Sequence, residues 1–116
     1  MSTMRAPVRL NRRLVLETAQ RVPDGAGGFV EGWVALGELW ADIRPRTGRL
    51  HAGEAGALST TGYRIVVRAA PHGAPSRPQP GQRLRQGARV FAITAVAEAD
   101  GQGRYLTCFA EEEVAP

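Results

Sequence analysis

The chain contains no lysine; all 15 basic side chains are arginine. Its single cysteine, Cys108, excludes an internal disulfide and the paired-cysteine zinc patterns. Aromatic residues make up only 6% of the chain, which argues against a stacking platform for single-stranded nucleic acid. The two histidines, His51 and His72, lie in glycine- or proline-rich stretches, and neither has a second candidate ligand two or four residues on, so no metal site is expected. No apolar run approaches the length of a membrane-spanning helix. Met1 to Leu14 carries Arg5, Arg9, Arg12 and Arg13 without the apolar centre of a secretory signal. The expectation is a soluble protein, made and kept in a reducing cytoplasm, with no cofactor.

What is present is enough for one domain with a modest core. There are 116 residues, of which 43% are hydrophobic. The net charge of +4 and the isoelectric point near 10.5 permit contact with nucleic acid without demanding it. The arginines are scattered, with no run of five like charges to mark a basic tail. Arginine suits bidentate contact with carboxylate or phosphate, but GC-rich coding accounts for its use equally well.

Short segments of alternating hydrophobicity, separated by glycine and proline, give the fold class. Leu10 to Arg21 and Phe29 to Leu36 read as two strands of a hairpin around Pro23 to Gly28, where Asp24-Gly25 is the turn signal. Leu39 to Arg44 reads as a third strand, with Leu39, Ala41 and Ile43 on one face and Trp40, Asp42 and Arg44 on the other. Residues 46–62 read as one long loop, in which glycines weaken a helical turn near Gly53 to Leu58. Tyr63 to Arg68 is the clearest strand. Ala69 to Gln82 holds four prolines and reads as an exposed, partly extended loop. Arg83 to Ala88 is a short strand and turn. Arg89 to Ala97, apolar on both faces, suits a strand buried on two sides or one in a closed barrel. Arg104 to Ala110 closes the set. The expected fold is all-β: a small β-barrel of six to seven strands with one long loop. Residues 1–9 are expected to be a flexible tail, 10–110 a single barrel domain and 111–116 an acidic tail.

No catalytic constellation emerges. Ser59 to Thr61 lacks the strand-turn-helix setting of a nucleophile elbow, and Cys108 has no histidine nearby in sequence. Asp24 to Gly28 is glycine-rich, but no Gly-Lys-Ser/Thr follows it, and a hairpin turn explains it. Trp33 and Trp40, in neighbouring strands, are expected in the core, with an interface anchor as the alternative. The sharpest functional candidates are Arg44, Arg46 and Arg49, with His51, Glu54, Arg64 and Arg68 in and around the same loop. They offer contacts to carboxylates of an adjacent subunit or to phosphates of passing DNA. Glu111, Glu112 and Glu113 are candidates to supply such carboxylates from a neighbouring copy.

The order of these pieces resembles the phage head–tail joining proteins, the SPP1-type adaptor or stopper family. The resemblance rests on Asp24-Gly-Ala-Gly-Gly28, Trp33, Trp40-Ala-Asp-Ile-Arg-Pro45, Thr47-Gly48, Ile65-Val-Val-Arg68 and Gly87-Ala-Arg-Val-Phe-Ala-Ile93. It covers about Leu10 to Phe109, and the proline-rich segment after Arg68 is longer than the pattern. It implies a non-enzymatic stopper at the neck of a particle, assembled first in the bacterial cytoplasm. Such a protein forms a ring (a hexamer ahead of a dodecamer) between portal or adaptor proteins and tail terminator or tail tube proteins. It seals the filled head while DNA passes through the channel. The composition suits a GC-rich host, and so a phage, a prophage or a gene transfer agent. The resemblance also implies a monomer in isolation, its long loop ordered by ring partners. The alternative is an OB- or SH3-like barrel that binds nucleic acid, whose affinity would fall steeply with salt.

Overall fold

The computed structural model describes the backbone of residues 7–46, 51–53, 56–58 and 62–113, and the side chains of residues 7–46 and 62–113. The strands are β1 (Arg12–Pro23), β2 (Phe29–Pro45), β3 (His51–Gly53), β4 (Gly56–Leu58), β5 (Gly62–Arg68), β6 (Arg83–Gln86), β7 (Arg89–Glu98) and β8 (Tyr105–Glu113). Six of them close a barrel in the order β1-β2-β5-β8-β7-β6, with every neighbouring pair antiparallel.

Alternation builds the core. Each barrel strand turns one set of side chains inward: Leu14 and Leu16 from β1, Ala41 from β2, Ile65 and Val67 from β5, Leu84 from β6, Phe91 and Ile93 from β7, and Leu106, Cys108 and Ala110 from β8. All are buried. Removing these apolar side chains from water is the main force holding the barrel closed. Burial pushes the Cys108 thiol up to about 12, so it packs as a small hydrophobe, as expected. A bulge in β7 between Ile93 and Ala95 changes its phase and brings Val96 against the core. Thr94, Ala95 and Ala97 are exposed, so β7 is covered on one side and not on two.

Several boundaries differ from the sequence reading. Phe29 to Pro45 is one strand, because Gly37, at φ +149°, lets the chain bulge and continue where the sequence suggested a break. Leu16 pairs with Gly37 and Glu17 with Ala35, so Leu36 is the extra residue. Within the expected long loop, His51–Gly53 pairs with Gly56–Leu58 as a small hairpin, so the described residues of the helical turn considered there are strand. Glu111 to Glu113 are not a tail but the end of β8, held by pairing to Val90, Phe91 and Ala92. The proline-rich segment between β5 and β6 is folded by turns rather than extended: Ala74 N–H donates to Pro71 O and Arg77 N–H to Ala74 O, while Pro78 is buried.

Candidate functional site

Strand length decides what projects from the barrel. β1 meets β6 only over Val15 to Glu17, and β2 meets β5 only over Ala41 to Pro45. Beyond Glu17 and before Leu36 the two strands pair with each other alone, from Thr18↔Val34 to Pro23↔Phe29. Six residue pairs at about 3.3 Å each make an arm roughly 20 Å long. Asp24 shapes its tip, accepting the N–H groups of Ala26 and Gly28 at 2.8 and 3.0 Å. The arm exposes Val22, Phe29, Val30, Trp33 and Val34. Sequence reasoning missed it; the signal was a pair of adjacent strands much longer than their neighbours.

The tryptophans are not in the core. Trp33 and Trp40 are 37% and 55% exposed, because both fall on outward positions of β2. Trp33 carries the Arg83 guanidinium over its ring at 4.1 Å. Arg83 and Arg85 then hold the buried carboxylate of Glu17, Nε to Oε1 at 2.7 Å and Nε to Oε2 at 2.9 Å. This cluster sits where the arm leaves the barrel and fixes its root. Burial works to raise the Glu17 pKa, but the hydrogen bonds and charges of Arg83 and Arg85 outweigh it and hold the carboxyl below its ordinary range.

Most of the expected site residues are at the opposite end, around the 46–62 segment, with Arg68 at the other end of β5 beside Trp40; Arg44, Arg46 and Glu112 are engaged within the chain. Arg44 grips Asp42 with two hydrogen bonds, at 3.1 and 2.8 Å, and donates to Pro7 O at 2.8 Å. Asp42 also accepts the Arg9 N–H at 2.9 Å. Burial works against the Asp42 charge, and Arg44 with the Arg9 N–H prevails, so its pKa is lowered. Arg44 thus straps the N-terminal segment to the barrel. Glu112 accepts two hydrogen bonds from Arg89, at 2.8 and 3.0 Å, and Arg89 also donates to Tyr63 Oη at 3.3 Å. Those bonds hold the Glu112 carboxyl low against its partial burial. Arg64, Arg68, Glu111 and Glu113 are exposed. Arg49, Glu54 and the side chain of His51 lie outside the described residues.

Arg46 takes a distinct position. Its guanidinium lies 5.8 Å from the centre of the Phe109 ring, and its Nε is buried with no acceptor among the described residues. It crosses directly over Gly62, where an added Cβ would fall 2.5 Å from Nη2. A Cβ at position 62 would require the Arg46 side chain to move. Gly62→Ala is therefore expected to displace the flexible guanidinium from Phe109 rather than open the barrel. The checks are a stability loss within about 1 kcal/mol by denaturant melting and a changed Arg46 Nε–H resonance in NMR spectra.

Among the described residues, then, the geometry shows no cluster of metal ligands. It shows a closed barrel with a projecting, partly apolar arm at one end and a small hairpin, His51–Gly53 with Gly56–Leu58, following Arg46 at the other. The phage head completion protein family model matches residues 5–113. The chain belongs to that family. It is 54% identical to a chain from the virion of a native gene transfer agent particle, with 96% of this chain and 100% of the other covered and a TM-score of 0.74. It also shares its fold with protein SF1141 of Shigella flexneri 2a, at 23% identity over 93% of this chain and 96% of that one, with a TM-score of 0.66. No curated protein matches it. The family supports the expected head–tail joining resemblance and a structural part in a tailed particle.

Proposed function

We propose that this head completion protein is a non-enzymatic stopper that forms a ring at the neck of a phage-like particle, between the portal or adaptor layer and the tail. The observation that carries the reading is the 54% identity, over nearly the whole of both chains, to a component of a gene transfer agent virion. The physics suits the task. A barrel closed on all its edges is a rigid block, and one heterologous contact repeated about an axis turns such blocks into a ring. The 46–62 segment leaves from one end, where it can reach the channel or the layer beyond. Its arginines would there meet the phosphates of DNA, and Glu111 and Glu113 would face a neighbouring copy. Arg44, Arg83, Arg85, Arg89 and Arg104 are paired with the chain's own carboxylates, so these five are already engaged within the chain. This weighs against a dedicated nucleic-acid binder.

Cryo-electron microscopy of intact particles from the source tests the proposal. The expected result is a ring of these barrels between portal and tail, with a hexamer ahead of a dodecamer. Absence of the chain from purified particles would overturn it.

A further inference from the structure

The arm's two faces are chemically different. On β1, Leu14 and Leu16 point into the barrel, and Thr18, Gln20 and Val22 continue the same alternation beyond its end. The bulge at Leu36 keeps Val34, Gly32 and Val30 of β2 on that same face. The core-facing side of the sheet therefore runs on past the core with nothing from the described residues over it. It carries no charge, and its three valines are 40%, 53% and 37% exposed at positions 22, 30 and 34. The other face holds Arg21, Glu31, Trp33 and Phe29, whose rings already carry the guanidinium groups of Arg83 and Arg21. An isolated two-stranded ribbon with an uncovered apolar face is marginal in water.

A second strip, apolar at its centre, lies on the outside of the barrel. Val66, Thr107 and Ala97 form one outward row across β5, β8 and β7, and Arg64, Phe109 and Ala95 form the next, with the Arg46 guanidinium over the Phe109 ring. Ala95 and Ala97 are exposed, and Val66, Thr107 and Phe109 half-buried. The exposed Arg64 and Arg68 flank the strip's centre. In the cyclic strand order, β8 and β7 lie across the barrel from β1 and β2.

We infer that the valine face of the β1–β2 arm packs on the outer face of β5, β8 and β7 in a second copy of this chain. Both surfaces are apolar at their centres, which suits sheet-on-sheet packing. Their surroundings are opposite in sign: the arm has Arg21 against Asp24 and Glu31, a net −1, whereas the receiving strip has Arg46, Arg64 and Arg68 against Glu98 and Glu111, a net +1. Placing the two surfaces on opposite sides of the barrel makes the contact heterologous, so each copy gives an arm and receives one. An arm-to-arm dimer would leave the second strip bare. The inference rests on the ring reading and assigns the contact that builds it.

The test is thiol cross-linking with a short bismaleimide. Cys108 is buried and its thiol shifted up, so the native protein supplies a silent background. Val30→Cys and Ala97→Cys are made singly and together, and are examined in purified particles and in the purified protein at its highest soluble concentration. The expected result is a ladder of cross-linked oligomers from the double variant, a dimer from a mixture of the two single variants, and no product from either alone. A dimer from Val30→Cys alone would overturn the inference in favour of an arm-to-arm contact. Rings visible by electron microscopy without any 30–97 product would overturn the contact while leaving the ring standing, and would assign the arm to a different protein. Particles in which the chain is present without a ring, and without the product, would remove both.

Discussion

Replacing Phe91 by alanine is expected to cost about 3–5 kcal/mol, the range for emptying a buried aromatic site. The ring is fully buried, meets Tyr63 edge-on with centroids 5.1 Å apart and lies under the Arg89 guanidinium at 4.9 Å. It is the largest fully buried side chain in the core. The closed barrel gives its neighbours little room to collapse into the space left behind. Domains of this kind are stable by about 5–15 kcal/mol, so the loss would consume much of the total. In denaturant melts the midpoint should fall with the slope unchanged. Trp40→Ala is the comparison that decides. Trp40 is the larger residue and is expected in the core from its place beside a neighbouring tryptophan strand, yet it is 55% exposed. Its loss should stay within about 1 kcal/mol. Equal costs for the two substitutions would mean that the outward placement of Trp40 is wrong.

That contrast marks where the sequence was legible. Tyr63 to Arg68 alternates cleanly, and the structure turns Ile65 and Val67 inward as the period of two requires. Leu39, Ala41 and Ile43 share one face by the same alternation, and that face is the one that meets the core. Strand-scale alternation thus located most of the core. The tryptophans depart from the expected core position because strand phase decides: Trp40 belongs to the outward set with Asp42 and Arg44. The arm was hidden by Gly37, which reads as a turn but at φ +149° lets a bulged strand continue. Ion pairs were beyond reach for a different reason. Arg83 and Arg85 share one face of β6, but their partner Glu17 stands on β1, more than sixty residues away. Local pattern does not say which strand will be the neighbour. The family was legible because the order of several weak signals over one short chain carries more information than any one of them.

Glu17 gives the second large effect. Its carboxylate is 5% exposed and sits between Arg83 and Arg85, whose side chains are 19% and 38% exposed. Breaking a fully buried pair costs about 3–5 kcal/mol. Here both guanidinium groups can turn partly to water, so Glu17→Gln should cost about 2 kcal/mol at neutral pH. The effect should depend on pH in a fixed direction. The folded-state pKa of Glu17 lies below the ordinary value of 4.5, so its contribution is fully present above that value and is lost as pH falls through the folded one. Urea melts of wild type and Glu17→Gln should therefore converge in acid, because protonated glutamate and glutamine are both neutral. Asp42 and Glu112 are also held low and will add an acid slope of the same sign to both proteins, which cancels in the comparison. A difference that persisted undiminished in acid would show that glutamine disturbs packing rather than charge. The position adds a local consequence. With the carboxylate gone, Arg83 is no longer fixed over Trp33, and amide exchange should quicken first at Thr18 to Gln20, where the arm leaves the barrel, before it changes in β5 or β8.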